Sequence, residues 1–478
     1  MNSKIKVLVT AVGAPPGRNV VRALAEKKDI NIIAAEHDSL IPVLYNRKET
    51  SAAYLLPKAE EESKFIGALT KIVKKEKIKV ILPCIENEIF VLSKYKDYFL
   101  RKGIVIACPF YHNLKKLADK LLLSRLANKL KIPAPKTFLF SEFIKNPQAF
   151  NYPAIIKPRI GYGAKNIRIL DKLGSIKELA AKFRGEENKY VVQEYIPGST
   201  GSIFMCGLLY TKDNKPYAEF LSRSIKTLYP IGGPAVCGES LRGFTRIRNY
   251  SKKLVESAGG WFGPLGVEYK VSDRDGIPYL MEVNPRFWGY GLLAVKSGLN
   301  FPYLAVMKAI GREVKIKQHY KSDTVLLRET NDIVIKRTEL KKPANYKEKI
   351  ICVYCANFFT EKAIKAIKAL RLLKKVDKII LTGEKELLKR FVKSGVTAKN
   401  AIAHVQQVED EYENLYEISL HNFADLVLVI KQQKIGIEIN KVNKALDGIS
   451  SKNIKHKFLG KDFYIVKSDF LKDGLWKK

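Results

Sequence analysis

Apolar and polar positions along the chain fall into two rhythms. Lys4 to Thr10 form a β-like run rich in β-branched residues, then comes Ala11-Val12-Gly13-Ala14-Pro15-Pro16-Gly17, then a helical spacing through Val20, Val21 and Leu24. A second apolar run, Ile30 to Ala35, ends at Glu36-His37-Asp38. Strand, glycine-bearing turn, helix and strand predict a βαβ unit. A helix near Phe65 to Lys74 and strands at Val80 to Pro83 and Ile104 to Ala107 extend it to about residue 110. The unit looks like a Rossmann half, yet the fingerprint G-x-G-x-x-G is replaced by Gly13-x-x-x-Gly17 with two prolines between the glycines. That spacing argues against an NAD site.

Residues 111 to 337 mix both rhythms and are rich in glycine. The periodicity breaks from Thr338 to Lys349, where Lys341-Lys342-Pro343-Ala344-Asn345 predicts a linker. A new alternation follows, with strands at Lys349 to Ala356, Lys378 to Leu381 and Ala424 to Ile430, and helices at Glu361 to Lys374 and Glu384 to Lys393. The expected organisation is therefore a Rossmann-like domain over 1–112, a second domain over 113–337, a linker over 338–347 and a small α/β domain over 348–478.

Composition changes this picture little. The 478 residues carry 85 Lys and Arg against 48 Asp and Glu, a formal charge of +37. The excess is spread evenly, at roughly +8 per hundred residues on both sides of Tyr346. A phosphate-backbone groove would concentrate it, so no specific nucleic-acid partner is expected. No apolar stretch reaches the ~20 residues of a membrane helix, and no apolar leader precedes the first strand, so a cytoplasmic protein without membrane contact is expected. Six scattered cysteines suit a reducing compartment. Cys352-Val353-Tyr354-Cys355 lies inside an apolar run without companion ligands, which favours two packed side chains over a metal or redox pair.

The chemistry concentrates in Pro278-Tyr279-Leu280-Met281-Glu282-Val283-Asn284-Pro285-Arg286. Strand alternation puts Glu282, Asn284 and Arg286 on one face. Glu268 lies fourteen residues upstream on a second strand, and Asp275-Gly276 between them predicts a hairpin in which the two carboxylates face each other. Two carboxylates and an amide oxygen are hard ligands suited to Mg²⁺ held against polyphosphate. A further strand ends at Lys157 and enters Gly161-Tyr162-Gly163, a loop whose N–H groups could close over phosphates. Asp119-Lys120 opens a helix with another cation, and Gln193-Glu194-Tyr195-Ile196 runs from a strand into a turn fit to read an adenine edge. Glu86 and Glu88, just after a strand, could face an amine or simply favour a helix start.

In this order, Lys120, Lys157 with its glycine loop, Gln193 to Ile196, Glu268 and the Glu282-x-Asn284-x-Arg286 motif resemble the ATP-grasp superfamily. The likeness is to its carbamoyl-phosphate synthase-like and carboxylate-amine ligase branch. It covers about residues 1 to 337 and implies a pre-ATP-grasp domain, an ATP-grasp fold and a C-terminal α/β domain outside the match. It implies that Lys120 and Lys157 meet the α- and β-phosphates, Gly161 and Gly163 form the mobile phosphate loop, and Gln193, Glu194 and Ile196 hold adenine. It assigns Glu268, Glu282 and Asn284 to Mg²⁺, with Mn²⁺ as a substitute, and Arg286 to the acyl phosphate or the substrate carboxylate. Arg223, with Lys226 behind it, stands where relatives place a cation for the γ-phosphate. Gln193 departs from the more usual Glu, and Ser199-Thr200-Gly201-Ser202 offers no acid for the ribose.

What the resemblance implies is an ATP-dependent ligase of the carbon–nitrogen bond-forming kind, acting on small carboxylate and amine substrates and compatible with a homodimer. A bicarbonate-activating enzyme and a catalytically silent nucleotide-binding scaffold are the alternatives.

Overall fold

In the computed structural model the chain divides into two units, Met1–Tyr346 and Lys347–Lys478. The structure describes residues 4–150, 152–161, 167–170, 176–229, 232–316, 320–322, 324–328 and 344–345 of the first unit, and five strands of the second. Gly163 and the two helices expected in the second unit lie outside the described residues.

The first unit opens with a parallel sheet of β1 (Ile5–Thr10), β2 (Ile30–Glu36), β3 (Ala52–Leu55), β4 (Val80–Leu82) and β5 (Val105–Ile106), in the order β3-β2-β1-β4-β5. Both faces of β1 and β2 are covered, so Val7, Leu8, Val9, Ile32 and Ile33 are all buried and the strands read as unbroken apolar runs. Helix α1 (Pro15–Ala25) starts with Pro at its first position, where the missing N–H costs nothing. Gly17 lets it press on β1, since a Cβ there would stand 2.2 Å from the Ala11 carbonyl. Helix α2 (Glu62–Glu76) buries Phe65, Ile66, Leu69, Ile72 and Val73 along one stripe. Helix α3 (Glu86–Lys94) follows β4, and α4 (Lys96–Leu100) follows α3. Above the first turn, Gly13 N donates to Glu36 at 2.8 Å, and a Cβ on Gly13 would meet Ile41 Cδ1 at 2.8 Å.

Helices α5 (Tyr111–Ala118) and α6 (Lys120–Lys129) lead into two antiparallel sheets. The smaller contains β6 (Thr137–Leu139), β7 (Ala154–Pro158), β8 (Arg168–Leu170) and β9 (Tyr190–Glu194), ordered β6-β9-β7-β8. The larger contains β10 (Ile203–Tyr210), β11 (Pro216–Tyr229), β12 (Gly232–Leu241), β13 (Gly263–Val271), β14 (Pro278–Asn284) and β15 (Val325–Leu327), ordered β14-β13-β10-β11-β12-β15. Its two faces share cores with the parallel sheet. Phe204, Leu208, Val267 and Tyr269 join the cluster of Leu8 and Ile81, while Met205, Phe220 and Trp288 join that of Val7 and Val9.

Trp288 packs closely on β10 because residue 207 is glycine, and a Cβ there would lie 2.3 Å from its ring. Gly207→Ala is expected to cost about 1–3 kcal/mol by overpacking, read as a lowered midpoint in urea unfolding. It should also disturb the segment carrying Arg286, two residues before Trp288.

The second unit contains β16 (Ile350–Cys355), β17 (Lys378–Thr382), β18 (Leu426–Lys431), β19 (His456–Gly460) and β20 (Phe463–Lys467), ordered β17-β16-β18-β20-β19. The first three are parallel, matching the alternation of the sequence, and β20 is antiparallel to β18. Cys352 and Cys355 lie on one extended strand. Three steps of about 3.3 Å separate their Cα atoms by ~10 Å, beyond the reach of a disulfide.

Candidate active site

The hairpin of β13 and β14 sets the site. Glu268 and Glu282 are paired across it in register, as the Asp-Gly turn predicts. Pairing shifts by one residue just before Glu282, so Met281 is an extra residue on β14, a bulge that the plain alternation did not anticipate. Asn284 Nδ2 donates to Glu282 Oε1 at 3.2 Å, and Arg286 Nη2 donates to Asn284 Oδ1 at 2.9 Å. Arg286 lies just past the strand end, yet the expected file of acid, amide and guanidinium is present.

Lys120 approaches these acids from α6, and Lys157 from the smaller sheet. Lys120 Nζ lies 3.7 Å from Glu282 Oε2 and donates to Gly161 O at 2.7 Å. Its position is pinned by Asp119, which caps α6 by accepting from Leu121 and Leu122 N–H and also takes Arg159 Nε at 2.7 Å. Lys120 N donates to Arg159 O at 3.0 Å, which ties the helix start to the loop after β7. Arg159 is a site-supporting residue that the sequence reading passed over, although its place between Pro158 and Gly161 was a usable signal. Gly161 has φ 144°, a conformation that favours glycine.

Lys157 is 7% exposed, and its side-chain ammonium has no hydrogen bond or ion pair within 4 Å among the described residues. Burial first, and the Lys120 ammonium second, push its pKa down to about 8. The acids show the complementary strain. Loss of water and then the facing Glu282 raise the Glu268 carboxyl well above the usual range. Burial pushes Glu282 the same way, but Lys120, Lys157, Asn284 and Arg286 together win and hold it ionised. Two neighbouring cations and two neighbouring acids are thus left incompletely matched, an arrangement that an anion at the lysines and a cation between the acids would each relieve.

Gln193, on β9, is buried with its Nε2 on Thr137 Oγ1 at 2.9 Å, while its Oε1 has no hydrogen-bond partner among the described residues. Ile196 is buried beyond the strand end, and Glu194 reaches Arg274 at 3.5 Å.

The N-terminal sheet adds Glu86. At the start of α3 its carboxylate is 4% exposed, makes no hydrogen bond among the described residues, and lies 3.8 Å from Arg286 Nε. Burial raises its pKa, and Arg286 opposes the rise. Glu88 points elsewhere, accepting from the Thr10 hydroxyl, and burial pushes it up to about 8.

The structure does not bring Arg223 to this group. It is paired in register with Phe204, which is paired with Tyr269, whereas Glu268 is paired with Met205 and Met205 with Ser222. Paired residues share a face and neighbours alternate, so Arg223 lies on the opposite face from Glu268, ion-paired with Glu239. Lys226 is exposed at a bulged stretch of β11.

Residues 117–290 match the model of the ATP-grasp domain, so this part of the chain is an ATP-grasp domain. Residues 7–107 match the PylC-like N-terminal domain. Among solved structures, the biotin carboxylase domain of Hydrogenobacter thermophilus 2-oxoglutarate carboxylase, in complex with MgADP, ADP and bicarbonate, superposes with TM-score 0.54. Sequence identity is 16%, over 68% of this chain and 74% of that one. The L-amino acid ligase of Bacillus licheniformis gives TM-score 0.51 at 15% identity, over 65% of this chain and 75% of that one. Rhizobium etli pyruvate carboxylase gives 0.53 at 16%, and here 65% of this chain covers only 29% of the other. Such identities show a common fold. No curated protein matches the chain. Among the described residues no helix is long and apolar enough to cross a membrane.

Proposed function

We propose that the protein is an ATP-dependent carboxylate-amine ligase that works through an acyl phosphate and releases ADP and phosphate. The observation that carries this is the buried Lys157, whose ammonium has no ion pair among the described residues, beside Lys120 and the Glu268 and Glu282 pair. The two ammonium groups hold the phosphates of ATP, and the Gly161 to Gly163 loop covers them. The unpaired Gln193 Oε1 accepts from the adenine amino group, with Glu194 and Ile196 at the same edge.

Glu268, Glu282 and the second lone pair of Asn284 Oδ1 fit one or two Mg²⁺ ions, which when bound neutralise charge on the β- and γ-phosphates. Arg286, freed from Asn284 or reaching past it, meets the substrate carboxylate and then the acyl phosphate. In-line attack of that carboxylate on the γ-phosphorus forms the new O–P bond and breaks the bond to ADP. Attack of the amine on the acyl carbon then expels phosphate, with Arg286 stabilising the oxyanion. Glu86 is placed to receive the proton that the amine loses, since its carboxylate is beside Arg286 and otherwise unbonded. Arg223 is left outside this set by its face of the sheet.

Incubation with MgATP, pooled small carboxylates and hydroxylamine should yield ADP, phosphate and an acid-dependent hydroxamate. Absence of hydroxamate and ADP for every pool would refute the proposal, and ATP turnover that survives Glu282→Ala would refute these residue roles.

A further inference from the structure

We propose that Arg18 and Arg328 form a subsite for a second anionic group, carboxylate or phosphate, on a substrate of this same site; the proposal rests on the ligase assignment above. The two guanidinium groups come from opposite ends of the unit, one from α1 and one from the residue leaving β15. Arg328 meets the helix face that carries Arg18 at Gly289, and Arg18 itself is exposed one residue before Asn19. Arg328 Nη2 donates to the Gly289 carbonyl, and Asn19 Nδ2 donates to the same oxygen at 2.7 Å. A Cβ on Gly289 would lie 3.7 Å from Arg328 Nη2 and 3.8 Å from Pro15 Cβ. Pro15, Arg18 and Asn19 are spaced i, i+3 and i+4, so they share one helix face, and that face is turned toward Arg328.

Neither arginine has an ion pair within 4 Å among the described residues. Arg328 is half-buried, and burial followed by the nearby Arg18 charge holds its pKa below the ordinary value. Two neighbouring guanidinium groups with no ion-paired acid among the described residues repel each other unless an anion joins them, and their planar donors suit a carboxylate or a phosphate.

The location ties the pair to the reaction. Gly289 is three residues beyond Arg286. The next residue, Tyr290, bonds Ser222 Oγ at 3.4 Å and feels both the Glu268 and Arg328 charges. The subsite therefore borders the carboxylate pair across one aromatic ring. A substrate bound by its reacting carboxylate at Arg286 would place another anion there, which selects acids or amines bearing a second carboxylate or a phosphate over simple monoanions.

The Arg18 side chain is exposed and makes no hydrogen bond or ion pair among the described residues, so Arg18→Gln should fold normally. The test is the rate at which phenylglyoxal modifies Arg18 and Arg328 in the full chain, with MgADP present and with succinate, inorganic phosphate or neutral succinamide added at about 10 mM. Protection of both arginines by at least fivefold with succinate or phosphate, and none with succinamide, is expected; protection by one anion alone tells which group the subsite takes. Calorimetry should then show at least tenfold weaker binding of that anion to Arg18→Gln, with ATP affinity unchanged. Equal modification rates with and without both anions, or unchanged anion affinity in the variant, would overturn the subsite. This readout needs no turnover, so it stands apart from the hydroxamate assay, whose failure would remove the ligase assignment alone.

Discussion

Glu282→Gln is expected to slow acid-dependent ADP release by roughly 10²- to 10³-fold, the scale seen when one charge-stabilising group is removed from an active site. Glu282 is the hub of the group, bonded to Asn284, 3.7 Å from Lys120 and opposite Glu268. The neutral amide keeps the shape and removes the charge that a divalent cation requires. Stability should not fall in step, because the change also relieves repulsion on Glu268. Steady-state ADP release together with a thermal melt separates the two effects. A variant that melts like the wild type but has lost turnover supports the assignment, and equal turnover contradicts it.

Lys157→Met is expected to weaken ATP binding by about 10- to 100-fold, the value of a lost hydrogen bond to a charged partner at about 1.5–3 kcal/mol. Its distinguishing mark is pH dependence. With the native pKa lowered from 10.5 to about 8, Lys157 is charged below about pH 8 and neutral above it in the free protein. ATP affinity in the wild type should decline as pH rises through that value, with proton uptake on binding near pH 9, and the variant should lack both features. Folding linkage runs the other way. Between pH 8 and 10.5 the unfolded chain binds more protons at this residue than the native one, so its effect on stability becomes less unfavourable as pH rises. Calorimetric ATP titrations from pH 6.5 to 9.5 in buffers of different ionisation enthalpy give both quantities.

The hairpin was legible in the sequence because a carboxylate on each strand and an Asp-Gly turn leave only one register that pairs the two acids. The same holds for Asp119, whose side chain caps the helix that Lys120 begins. Arg223 could not be placed in this way. On β11 the run Ser222-Arg223-Ser224 has polar residues on both faces, so alternation alone does not say which face meets the nucleotide. Neighbouring strands decide it, through Phe204 and Tyr269 on one side and Met205 and Glu268 on the other. Glu86 read equally well as an ordinary helix-start acid, and only the packing of the parallel sheet against the larger one brings it to Arg286. Arg328 and Arg18 are 310 positions apart in the chain, and no local pattern joins them.

The central claim is that oxygen passes from a substrate carboxylate to phosphate through an acyl phosphate. Pooled carboxylic acids carrying ¹⁸O at both carboxyl oxygens, incubated with the protein, MgATP and pooled amines in ordinary water, put this to a direct test by mass spectrometry of the released phosphate. One ¹⁸O per phosphate formed, in amounts equal to ADP, is the predicted result. ADP formation with phosphate free of ¹⁸O would contradict it.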